Sequence, residues 1–190
     1  LEKLIRGEEL HDHAWSKLYK KFLFNEIEYP VGKLYEDVRT TYKLIAKSSK
    51  VISIPNPLYH YRQRKGSIAH GDFNENVFQL LESVIEIIND NEIETEKYNQ
   101  AIEHRLLKTK CYILRYMLLD GKGAINKFSD EYKDCVLKLK YNRKRIILDK
   151  KFTKVYKLMG ILSYFPSCIM NQAFQSKAMQ KYLKDNYSYF

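Results

Sequence analysis

The chain has no uninterrupted apolar run of the roughly 18–20 residues needed to cross a bilayer. Its first twenty residues mix acids and bases instead of forming the basic-then-apolar pattern of a signal peptide. These absences argue against a membrane-spanning or exported protein. Cysteine is also scarce: Cys111, Cys135 and Cys168 are odd in number, far apart and without a CxxC spacing. That pattern indicates neither a disulfide framework nor a zinc knuckle and suits a reducing, cytoplasmic setting. Internal repeats and low-complexity linkers are missing too. The sequence starts at Leu1 and not at a methionine, as expected of an excerpt from a longer protein or of a processed product.

What is present is enough for one sizeable core. The 190 residues are 45% apolar and 29% charged, which favours one compact body over two large domains. The net charge of +10 is unevenly spread, at +4 over residues 1–73, −4 over 74–137 and +10 over 138–190. Such a C-terminal excess can face membrane phosphates, nucleic acid or water, so charge alone selects no partner.

The pattern predicts an α+β chain that is mostly helical. Over residues 1–73 it predicts a helix at Ala14–Phe24, a turn at Tyr29-Pro30-Val31-Gly32 and a helix at about Leu34–Lys47, where Leu34, Val38, Tyr42 and Ile45 form one stripe. Val51–Ile54 reads as a short strand and Leu58–Arg62 as a second extended segment, separated by Pro55-Asn56-Pro57. From 74 to 190 the reading is helical throughout. Asp72 and Glu75 form a capping-box-like start, and the stripes Val77/Leu81/Val84/Ile88, Tyr98 to Met117 and Ile125 to Leu139 follow, with a stop at Asp120-Gly121-Lys122-Gly123. Those stripes are read as bundle core.

Chemically capable residues are dense only in residues 14–68. Glu36 and Asp37 open a helix, where acids interact favourably with the helix dipole by about 0.3–1 kcal/mol whatever else they do. Trp15 is the lone tryptophan, and its flat surface suits either a wall for a sugar's C–H face or a core anchor. Lys17 and Tyr19 stand two apart, so on a helix at most one would share the side of Trp15. Arg62 and Arg64 alternate on an extended segment, a spacing fit for gripping a diphosphate or for a solvated basic loop, and Ser67 could add a hydroxyl to the same anion site. The histidines of His11-Asp12-His13 and His60 invite a metal reading. However, alternate helix residues diverge by about 200°, and no further ligand stands at metal-like spacing, so no metal ligand is assigned.

Taken in order, Trp15-Ser16-Lys17-Leu18-Tyr19, Gly32-Lys33-Leu34-Tyr35-Glu36-Asp37-Val38 and Pro57 through Ile68 resemble the C-terminal half of the catalytic domain of bacterial family-two glycosyltransferases, which have the GT-A fold. The resemblance covers about the first seventy residues. It implies the C-terminal portion of a GT-A-like α/β domain (1–73), carrying the base and acceptor side, followed by a helical domain with a basic tail (74–190).

By that resemblance Asp37 is the general base and Glu36 orients the loop or the acceptor. Trp15, Lys17, Arg62, Arg64 and Ser67 contact substrate. A nucleotide-sugar donor and a saccharide or polyol-phosphate acceptor are the expected partners, in surface polysaccharide synthesis. Magnesium or manganese is expected in the full-length enzyme, held mainly by a DxD element that this chain does not contain, with no metal bound by this chain alone. The nucleotide-binding half is expected upstream of Leu1, so the chain by itself is expected to be inactive.

Residues 138–157 carry nine bases against one acid, Asp149, and Leu158–Phe165 follows as a short apolar and aromatic stretch. The combination suits either peripheral attachment to the anionic inner face of the cell membrane or a bundle helix with a solvated basic face. The alternative to an enzyme part is a non-catalytic basic helical module for an anionic partner. Nucleic acid is the weaker choice of partner, because no nucleic-acid motif accompanies the charge.

Overall fold

The computed structural model describes residues 1–8, 10–62 and 73–187. They are mostly helical, and there is no β-strand among the described residues. The helices are α1 (Glu2–Arg6), α2 (Glu36–Ala46), α3 (Phe78–Ile88), α4 (Thr95–Asp120), α5 (Lys122–Lys127), α6 (Ser129–Leu148), α7 (Lys154–Leu162), α8 (Ser167–Gln175) and α9 (Lys177–Tyr187), with 3-10 turns at Lys21–Phe24 and Glu75–Val77. They fall into two compact units. The first takes in the described part of Leu1–Gln63 together with Phe78–Leu106, and the second the described part of Arg64–Val77 together with Leu107–Phe190.

In the first unit the stripe expected on α2 is observed: Val38 and Tyr42 are buried with Leu4, Ile5, Ile87, Ala101 and Ile102. Leu23, Ile27 and Leu44 form a smaller cluster against Tyr19, Phe24 and Tyr29. Buried polar groups then staple the helices. Arg39, 4% exposed, donates to the carbonyls of Leu34 (3.4 Å) and Gln79 (3.1 Å) and pairs with Glu82 (3.4 Å) and Glu86 on α3. Tyr42 donates its hydroxyl to Asp90 Oδ2 at 2.5 Å. A buried donor or acceptor left without such a partner costs about 1–3 kcal/mol, so these bonds fix the α2–α3 register.

The second unit relies on apolar packing. Leu114, Met117, Leu139, Ile146, Met159 and Phe174 are essentially inaccessible. On α7, Gly160 lets the backbone approach α6, because a β-carbon there would lie 3.1 Å from Ile147 Cγ1. Thr153 caps α7 by accepting from the Tyr156 N–H. The α4 stop falls where the glycine predicted it, with Gly121 at φ 82°.

Two expected elements do not form. The predicted helix at Ala14–Phe24 is an open turn followed by a single 3-10 turn. Ser16 sits at φ 61°, a left-handed conformation that interrupts a helix, and Leu18 is fully exposed where a helical stripe would bury it. The predicted strand at Val51–Ile54 is irregular, and Val51, Ile52 and Ile54 are 48%, 70% and 59% exposed. A strand needs a hydrogen-bonded partner, and none of the described residues supplies one. The helix expected from Ile125 to Leu139 is split into α5 and α6 at Phe128, whose φ of −120° and ψ of 51° are not helical.

Candidate functional site

The N-terminus of α2 and the segment His11–Lys17 build one constellation in the first unit. The segment is pinned from two sides: Thr41 Oγ1 donates to the Asp12 carbonyl at 2.6 Å, and Arg105 Nη2 meets Asp12 Oδ2 at 2.7 Å with both side chains nearly buried. So anchored, His11, His13 and Trp15 alternate as in extended chain. The rings of His11 and His13 stack at 5.4 Å, and those of His13 and Trp15 at 4.4 Å and 10°. Tyr59 and Tyr61, also two apart, both stack on Trp15, at 4.8 and 4.9 Å.

Asp37 lies at the edge of this stack. Its side chain is 24% exposed, with Oδ2 3.8 Å from His13 Nδ1 and Oδ1 accepting the Val38 N–H at 2.8 Å. Burial alone pushes its pKa up. The nearby His13 ring, the Val38 N–H bond and the charge of Arg105 outweigh burial, so the carboxyl is held below the ordinary carboxylate value. Lys17 reaches back to the His13 carbonyl at 2.6 Å. Burial lowers its pKa, against the opposing pull of Asp12 and Asp37.

The backbone presents these groups through two uncommon conformations. Apart from glycines, the left-handed residues among those described are Ser16, next to Trp15, and Tyr35 (φ 56°), next to Glu36-Asp37. Such residues cost on the order of 1–3 kcal/mol and persist where surrounding structure holds them, often at functional sites.

Asp37, Trp15 and Lys17 are thus brought together, with Glu36 half-buried one residue away. Trp15 is a slat within a ring stack, between His13 on one hand and Tyr59 and Tyr61 on the other. Lys17 reaches the site because the segment is not helical, while Tyr19 packs with Phe24 in the smaller cluster. Arg62 is exposed, and no described contact links it to Asp37; it follows Tyr61, which does touch the stack. Arg64 and Ser67 lie outside the described residues. The sequence offered His13 only as a metal-ligand candidate and Tyr59 and Tyr61 only as members of the Pro57–Ile68 block, not as partners of Trp15 and Asp37. Their signal was a ring at every second position, the spacing of extended chain and not of helix.

No three His, Cys, Asp or Glu side chains converge as a metal cage among the described residues. A cleft of about 290 Å³ lined by Lys43, Ala46, Lys47, Asp90, Glu92 and Ile93 opens at the other end of α2, roughly 14 Å from Asp37 at 1.5 Å per residue.

Over 56 residues, 30% of this chain, the sequence is 46% identical to the glycosyltransferase GlyA of Streptococcus pneumoniae serotype 4. Part of this chain is similar to glycosyltransferases. The glycosyltransferase GlyG of the same organism is 40% identical over 58 residues, again 30% of the chain. The matched stretches span 8% of GlyA and 19% of GlyG, so the chain corresponds to a small part of either relative. No family model matches the chain, and no solved structure matches it.

Proposed function

We infer that this chain forms the base and acceptor side of an inverting, hexosyltransferase-type glycosyltransferase, with Asp37 as the general base. In this reading residues 1–73 belong to a GT-A-like catalytic domain of the family-two type and residues 74–190 to a helical C-terminal domain. The enzyme moves a sugar from a nucleotide-sugar donor to a saccharide or polyol-phosphate acceptor in surface polysaccharide synthesis. One observation carries the reading: an ionised, partly exposed carboxylate is fixed at a helix N-terminus by His13 and Val38, beside stacked aromatic rings, in a chain that resembles glycosyltransferases in part.

The chemistry asks for such a group. An acceptor hydroxyl is far too weak an acid to ionise at neutral pH. As its oxygen bonds to the anomeric carbon, on the face opposite the departing nucleotide, its proton becomes acidic and passes to Asp37. That relay contributes typically 10²- to 10⁴-fold. The depressed pKa keeps Asp37 unprotonated before the reaction, and the Val38 N–H and the His13 ring hold its orientation. Arg62, with Arg64 and Ser67, is assigned to donor or acceptor phosphate by charge-assisted hydrogen bonding. A divalent cation belongs to the full-length enzyme in this reading. The described residues offer it no cage.

The test uses a protein that joins this chain to a nucleotide-binding part. Asp37→Asn is expected to lower kcat by about 10²- to 10⁴-fold with the helical circular dichroism unchanged. Retained turnover excludes Asp37 as the base. Residues 1–190 alone are expected to transfer no sugar, and a normal enzymatic rate from them would remove the half-site reading.

A further inference from the structure

Helix α6 carries two apolar stripes. Its core stripe includes Cys135, Leu139 and Ile146, all buried. On the opposite side, about 180° away at 100° per residue, Leu137, Tyr141, Lys144 and Leu148 recur at spacings of four, three and four. Three of these four outward positions are apolar and open to solvent, with Leu137 52%, Tyr141 86% and Leu148 78% exposed. Single exposed apolar residues are ordinary, but a continuous outward stripe is not.

Bases frame that stripe. Lys140 lies on one side of it and Lys138 and Arg145 on the other, by the same helical spacing; Lys144 lies within it, and Lys150 and Lys154 continue beyond the end of α6. The same unit exposes Ile161, Tyr164 and Phe165 at the end of α7. Arg143 lies 4.1 Å from the centre of the Tyr164 ring, which ties this aromatic pair to the basic end of α6.

We propose that the outward face of α6, with the α7 end, docks on an anionic lipid bilayer, lying in the headgroup region without crossing it. Bases on long stems can reach lipid phosphates while Leu137, Tyr141 and Leu148 enter the acyl boundary, the division of labour of an interfacial amphipathic helix. Nucleic acid fits less well, because phosphate contacts use the bases but offer nothing to Leu137 and Leu148. A second copy of the same face fits less well still, because the bases framing one stripe would oppose those framing the other. The proposal stands independently of the transferase reading.

The test is cosedimentation of the 190-residue chain with vesicles of phosphatidylcholine, or of phosphatidylcholine and phosphatidylglycerol in equal parts. The chain is expected to bind the mixed vesicles at least about tenfold more tightly, with most of that preference lost at high salt. Leu137→Ser/Tyr141→Ser/Leu148→Ser is expected to weaken binding to the mixed vesicles by about tenfold or more, and Lys140→Gln/Lys144→Gln to remove part of the preference for them. Tyr141→Trp provides a second readout that does not depend on the triple variant folding: its emission is expected to shift to the blue on mixed vesicles, beyond any change shown by Trp15 in the parent chain.

Equal binding to both vesicle types overturns the proposal, as does a triple-serine variant that folds and binds mixed vesicles like the parent. So does a parent chain that sediments as a dimer while the triple variant is monomeric, since the face would then be an interface between copies. Duplex DNA binding stronger than vesicle binding, and insensitive to the triple substitution, assigns the basic face to nucleic acid and overturns it too.

Discussion

The two compact units are held together by different means. In the first, a few buried polar groups span long sequence distances: Arg39 to α3, Tyr42 to Asp90, Arg105 to Asp12. In the second, Leu139, Ile146, Met159 and Phe174 provide an apolar interior of the kind helical spacing alone can build. The lesson is that directional bonds accompany the unit that must hold a carboxylate and a ring stack in register, whereas apolar burial suffices where the helices form a body with a chemically patterned outside.

Breaking the second unit should have the largest effect on stability. Phe174→Ala is expected to cost about 3–5 kcal/mol, the usual range for a phenylalanine removed from a closed core. Thermal or chemical unfolding followed by far-ultraviolet circular dichroism measures it. Arg39→Met tests the first unit and is expected to cost about 2 kcal/mol, because two carbonyls lose their donor while Glu82 and Glu86, half exposed, return to water. Trp15 fluorescence reports on that unit, since no other tryptophan is present.

Tyr42→Phe should be milder, about 1 kcal/mol. Asp90 loses one hydrogen bond but keeps the Glu92 N–H, which donates to Oδ1 at 2.8 Å. The smallest effect is an acid one. Asp90 and Asp37 are both held below the ordinary carboxylate value: burial alone raises each, and it is outweighed by hydrogen bonds from Tyr42 and Glu92 in one case and by the His13 ring and the Val38 N–H in the other. A depressed folded pKa adds stability that is complete above the unfolded value of about 3.9 and is lost as pH falls through the folded value. The Trp15 transition is therefore expected to weaken on acidification below about pH 4. Stability that rises on acidification contradicts this assignment.

Legibility in the sequence followed the same division. The helical character of residues 74–187 and the stripes of α3 and α4 could be read because their apolar residues keep a helical period, and α4 stops at its glycine, whereas the break at Phe128 and the bounds of α7, α8 and α9 were not read. On α2 the stripe and the placement of Glu36-Asp37 in the first turn were also readable. The segment before α2 was not. Its conformation depends on long-range bonds from Thr41 and Arg105 and on ring stacking with Tyr59 and Tyr61, none of which leaves a helical signature. The apolar run Val51–Ile54 had strand composition, but strand formation needs a partner as well as composition. His13 was weighed only as a metal ligand, because its place beside Asp37 follows from the carboxylate folded against it and not from sequence spacing.

For the proposed role, the Asp37 carboxylate must be ionised and oriented before any substrate arrives. Carbon-detected nuclear magnetic resonance of the Asp37 side chain through an acid titration measures this directly. The expected midpoint lies below the ordinary value of about 3.9 and rises toward it in His13→Ala. A midpoint at or above that value in the parent chain, or one unmoved by His13→Ala, would contradict the site described here.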